Sequence, residues 1–238
     1  MEDVTAPDFL TAPQRRAFSR LAADLQRVFG PRFVALVAYG PATSLCFAET
    51  ISADDLDACG PLVDTWHRDA LETPIVMTPD EFRRSLDAFP VEYQTILDRH
   101  VVIAGRDPFD GCRIDADDLR RACEIQARGH LIHLRQGWLD AAGHDHHHDA
   151  LLVASAAPLR VLLTQVARLE GARLASPDDL PAFAEREAGM PADLVRAVLS
   201  LETGPERAHA LIPRLPEYLA AAERLWLRVD RWRARERA

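Results

Sequence analysis

The feature that most constrains this chain is a change of hydrophobic period near Asp115. Before it, short apolar runs of strand length alternate with amphipathic stretches; after it, every patterned segment has the three-and-four spacing of a helix and no strand candidate survives. Such a chain has to build a small sheet with covering helices first and an all-helical unit second. We therefore expect an α+β protein, with a small mixed-sheet domain over residues 1–109, a helical bundle over 115–238 and Asp107–Ile114 as the joint.

Within the first part, Ala12–Phe29 carries Phe18, Leu21, Ala22, Leu25, Val28 and Phe29 at helical spacing, with Pro13 in its first turn and Gly30-Pro31 at its end. Phe33–Tyr39 is an unbroken apolar run stopped by Gly40-Pro41, which reads as a buried strand entering a tight turn. Ser44–Glu49 is the next strand. Ser52-Ala53-Asp54-Asp55 looks like a helix start, its acids placed to favour the positive end of the dipole, although Gly60-Pro61 interrupts the helical spacing of Leu56, Cys59, Leu62, Val63 and Trp66. Thr73–Thr78 is a compact strand, and Thr78-Pro79-Asp80-Glu81 is the clearest capping box in the chain. Phe89-Pro90 breaks that helix, and Val101–Gly105 is the last strand. The expected helices beyond it are Asp115–Ala142, Asp149–Leu169, Pro177–Glu187, Pro191–Leu201 and Pro205–Arg235.

Composition removes several kinds of chemistry. The formal net charge is -9, and all 28 basic side chains are arginine. Without lysine there is no P-loop, no Schiff base and no lysine general base. The acidic balance argues against tight non-specific nucleic-acid binding. Cys46, Cys59, Cys112 and Cys123 show no C-x-x-C spacing and read as free, mostly buried thiols. The opening residues lack the basic and apolar regions of a leader, and runs such as Phe33–Tyr39 are too short for a bilayer. A cytoplasmic location without membrane attachment is expected.

The strand that ends in Tyr39-Gly40-Pro41-Ala42, followed by a helical C-terminal half, resembles a bacterial branch of the nucleotidyltransferase superfamily. The resemblance implies a mixed sheet, a nucleotide as ligand, Gly40 and Ser44 as nucleotide-binding residues, and magnesium wherever catalysis is retained. Members hold the metal with two carboxylates one residue apart on the second strand, which point the same way because side chains alternate along a strand. Here the second strand offers only Glu49, at its far end. Pro41 also lacks both the hydroxyl and the N–H that the family's Gly-Ser turn offers a phosphate. Asp55-Leu56-Asp57 has the right internal spacing, yet Gly60-Pro61 comes soon after it, and the three acids Asp54, Asp55 and Asp57 suit the first turn of a helix. The resemblance therefore points to a degenerate site, no metal, no cofactor, and a role in binding or scaffolding.

Two alternatives accompany that reading. One is an active magnesium-dependent transferase acting on a small molecule, protein or RNA end through Asp55 and Asp57. The other is a ribonuclease resembling the HEPN helical family, carried by Arg128 and His133 in the helix Asp118–Leu139, where an imidazole acid/base beside a guanidinium could act on a phosphodiester. His144-Asp145-His146-His147-His148 is a further cluster with metal-binding chemistry, expected in a solvated loop between helices. In the tail, Trp226 and Trp232 interleave with arginines and could stack on bases or simply cover the bundle.

Overall fold

The structure is a computed structural model that describes residues 9–141, 145–172, 174 and 176–232, with the side chains of 145 and 146 outside that description. It forms two compact units, residues 1–114 and 115–238.

In the first unit, α1 (Ala12–Phe29) starts at a capping box in which Thr11 and Gln14 satisfy each other's backbone N–H groups. Then come β1 (Phe33–Ala38), β2 (Ser44–Ala48), α2 (Ala53–Cys59), a 3-10 turn at Gly60–Leu62, α3 (Val63–Arg68), β3 (Ile75–Met77), α4 (Pro79–Arg84), α5 (Pro90–Asp98) and β4 (Val101–Gly105). The sheet is mixed, in the order β3-β2-β1-β4, with β1 antiparallel to β2 and β4 and β2 parallel to β3.

The period of two along β1 and β2 sends side chains to two separate cores. Leu36, Ala38, Cys46 and Ala48 meet Phe18, Leu21 and Leu25 of α1 and Trp66 of α3. Ala35, Val37, Leu45 and Phe47 face Phe82 of α4, Tyr93 and Ile96 of α5, and Phe109. Phe47 meets the rings of Phe82 and Phe109 edge-on at 5.7 and 5.6 Å. Because both faces are covered, these strands read as continuous apolar runs, with no polar alternation.

Two punctuation marks act differently from expectation. Gly60-Pro61 leaves the helical path intact as a single 3-10 turn, since proline needs no N–H partner in a first turn. Pro90 likewise opens α5 directly after the break at Phe89.

The second unit holds α6 (Ala116–Asp140), α7 (Asp145–Leu169), a 3-10 turn at Pro177–Asp179, α8 (Leu180–Ala188), α9 (Ala192–Leu199), 3-10 stretches at Ser200–Glu202 and Pro205–Arg214, and α10 (Leu215–Asp230). The expected single helix Pro205–Arg235 is therefore divided at Arg214, where Pro213 blocks α-type hydrogen bonding and Pro216 suits a new first turn. α6 packs against α7 and α10, and Cys123, Ala127, Leu131 and Leu134 of α6, Leu159 and Leu163 of α7, and Tyr218 and Leu225 of α10 are buried.

By length and composition His147–Leu169 is apolar enough to cross a membrane, with a mean hydropathy of 1.6, and half of its most apolar window is buried in the unit. This is a longer apolar segment than the sequence runs suggest, because its few polar residues are spread through it.

Candidate functional site

The turn between β1 and β2 is tight. The Tyr39 N–H donates to the Thr43 carbonyl at 3.2 Å, and a Cβ on residue 40 would lie 2.4 Å from Thr43 Oγ1. Steric fit inside the hairpin thus accounts for Gly40. Ser44 is only 1% exposed, and its hydroxyl is sealed with no hydrogen-bond partner among the described residues. Strand β2 begins at once, so the turn leads into no helix N-terminus that could cradle a phosphate.

Asp55 and Asp57 belong to α2, a helix, with no strand pairing. Two residues apart on a helix they diverge by about 200°, and Asp55 is buried while Asp57 is exposed. Both Asp55 oxygens are already engaged. The Arg32 guanidinium donates to Oδ2 at 2.8 Å and to Oδ1 at 2.7 Å, and the Ser52 N–H and hydroxyl each donate to Oδ2 at 2.9 Å. The Arg32 pair, followed by the Ser52 hydrogen bonds, holds the carboxyl well below the usual carboxylate range. Arg32 is itself placed by the turn after α1 and by a bond to the Thr50 carbonyl at 3.1 Å. The capping box that makes α2 begin at Ser52 therefore also fastens α2 to the end of α1. Glu49 is exposed and pairs with Arg106 at 3.2 Å. At the β1-start end of the sheet, four acids, Glu49, Asp80, Asp107 and Asp110, and two arginines, Arg83 and Arg106, line a polar cleft of about 540 Å³. Among the described residues, no group of three or more His, Cys, Asp or Glu side chains could hold a metal ion.

In the helical unit, Arg128 and His133 both lie exposed on α6 but turn different ways. The Arg128 guanidinium covers the Trp226 ring of α10 at 5.6 Å, whereas His133 lines a groove between α6 and α7. They do not converge on one phosphodiester. Trp226 is half-buried under that guanidinium, Val229 is 1% exposed, and Arg228 pairs with Glu170 at 2.8 Å. The described part of the tail is thus occupied by packing and ion pairs.

The histidine cluster does not form the expected loop. Residues from Asp145 on belong to α7, while His144 lies outside the described residues. His147 is exposed and His148 half-buried beside Trp138, and neighbours on a helix point about 100° apart, which keeps them from a common metal.

One constellation escaped the sequence. His130 is 9% exposed, and its Nε2 lies 2.8 Å from the Tyr218 hydroxyl, which donates to Ser155 Oγ at 3.3 Å; Ser155 in turn donates to the Leu152 carbonyl at 2.7 Å. Burial pushes the His130 imidazole down to about 4, with a smaller contribution from His133. Burial also raises the Tyr218 phenol. Of these groups, His130 and Ser155 line the α6–α7 groove, whose volume is about 680 Å³. A histidine close behind an arginine is the available signal, and in the sequence it draws attention to His133 instead.

The fold and these sites define an α+β chain of two units without a pair of metal-holding acids at Asp55 and Asp57. Neither the family models, the curated proteins nor the solved structures contain a match to it.

Proposed function

We propose that this chain acts by binding or scaffolding, its first unit being a nucleotidyltransferase-like fold in which the transfer chemistry has been lost. The observation that carries the reading is the engagement of Asp55: Oδ1 accepts from Arg32, Oδ2 accepts from Arg32 and from both Ser52 donors, and Asp57 points elsewhere. A carboxylate neutralised by a bidentate guanidinium has little to offer a divalent cation, and magnesium demands near-ideal oxygen geometry. The mixed sheet and the Phe33–Ala42 strand and turn go with the fold part of the reading. Four free thiols, three of them buried, suit the reducing cytoplasm, where we place the protein.

The test is equilibrium binding of labelled ATP, GTP, CTP and UTP, with and without magnesium, to the wild type and to Asp57→Ala, an exposed change that leaves the Asp55 network intact. The expected result is that magnesium adds nothing to binding of any nucleotide. Metal-dependent binding that Asp57→Ala abolishes would restore the transferase.

A further inference from the structure

The groove between α6 and α7 is lined by Gly129, His130, Ala154, Ser155, Pro158 and Val161 among others, and its volume falls in the range of small-ligand sites. Of the polar side chains that line it, His130 and Ser155 are buried, Gln126 is half-buried and His133 is exposed. The chain His130–Tyr218–Ser155–Leu152 has one direction: Ser155 uses its proton on the Leu152 carbonyl, so Tyr218 donates to Ser155 and accepts from His130 Nε2–H. That fixes the neutral imidazole as the Nε2–H tautomer and makes Nδ1 a lone-pair acceptor. Nδ1 has no partner among the described residues, and it is absent from the sealed, unpaired atoms. A second acceptor comes from Pro158, which stands inside α7 and has no N–H to return to the Ala154 carbonyl.

Gly129 supplies an independent observation. Glycine is an unfavourable helix residue, and α6 contains two. At Gly137 a Cβ would come within 2.4 Å of Leu151 Cδ1, so close packing on α7 explains it; at Gly129 a Cβ would meet nothing within 4 Å. The bare backbone at Gly129 opens onto the groove. Among the described residues no Asp, Glu, Arg or Lys lines this groove, whose other polar side chains are those of Gln126 and His133, so a charged occupant would meet no carboxylate or guanidinium to offset its lost hydration.

We propose that the α6–α7 groove binds a neutral, largely apolar small molecule bearing a hydroxyl or N–H donor, with the donor on His130 Nδ1 or the Ala154 carbonyl and the apolar body over Gly129, Pro158 and Val161. This concerns the helical unit and does not rest on the reading of Asp55.

The experiment is displacement of the neutral dye Nile red from the full chain by 1-decanol, by its methyl ether and by decanoate. Decanol is expected to displace the dye at a concentration about tenfold lower than the ether, the worth of one neutral hydrogen bond, and decanoate to be weaker than decanol. Gly129→Leu sends a side chain into the groove from a position where its Cβ meets nothing within 4 Å, and it should weaken decanol by tenfold or more while the melting temperature is kept. His130→Gln should bring alcohol and ether together. Should that variant fail to fold, Gly129→Leu decides alone. Equal displacement by alcohol and ether, no response to decanol, or an unchanged affinity in Gly129→Leu would each overturn the proposal. So would a wild-type dimer that Gly129→Leu dissociates while decanol binds neither form, since the groove would then hold a second copy.

Discussion

Asp55 is 7% exposed in the folded chain, and without the Arg32 guanidinium only the two Ser52 donors would balance its charge. Arg32→Ala should therefore lower the melting temperature clearly, whereas Arg106→Ala, which breaks an exposed pair with Glu49, should change it little. Thermal melts of the two variants side by side check this. His130 gives a pH signature. Its folded value of about 4 lies below the ordinary 6.5, so at acid pH the unfolded chain takes up a proton that the folded chain refuses. This contribution to stability is full above pH 6.5 and is lost as pH falls toward 4. The loss is at most about 3 kcal/mol. Urea titrations should show it reduced in His130→Gln, which keeps a hydrogen-bonding side chain and does not titrate.

Among the elements, the two glycines of α6 make opposite predictions from identical chemistry. Gly129→Ala should stabilise by about 1 kcal/mol through helix propensity alone. Gly137→Ala should lose that gain and more, because its methyl would displace Leu151. Chemical denaturation of both variants gives the contrast. The elements also divide by how much the sequence discloses. β1 and β2 are legible because Gly40-Pro41 bounds an apolar run, and α4 because Thr78 and Glu81 spell a capping box whose bonds form at 2.7 and 3.1 Å. Pro90 and Pro213 mislead for a common reason: proline both stops a helix and starts one, and 3-10 and α segments use the same residues. α7 begins at Asp145, ahead of the expected Asp149, because histidines are tolerated in a helix yet add nothing to its apolar period. The His130–Tyr218–Ser155 chain is invisible, since its members are separated by 88 and 63 positions and meet only through packing of α6, α7 and α10. Asp55 is readable as a helix-capping acid from Ser52, but nothing local announces Arg32, 23 residues away, as its partner.

For the whole molecule, the division falls between Ile114 and Asp115, and Phe109, Cys112 and Ile114 belong to the core of the first unit. A fragment ending at Arg106 would lose Phe109, which is 6% exposed and packs on Phe47 and Phe82. Loss of such a ring typically costs about 3–5 kcal/mol. A fragment spanning residues 9–114 is thus expected to give a cooperative melt by circular dichroism, and one ending at Arg106 a much weaker one. In the intact chain, the Asp55 carboxylate belongs to the framework of the first unit, and the proposed ligand groove beside His130 belongs to the second.

The most direct test of that assignment is the titration of the Asp55 carboxyl by carbon NMR, with and without millimolar magnesium. A structural Asp55 stays ionised well below the usual carboxylate range, and its resonance does not move with magnesium. A shift on adding magnesium, or an ordinary carboxylate titration, would contradict it.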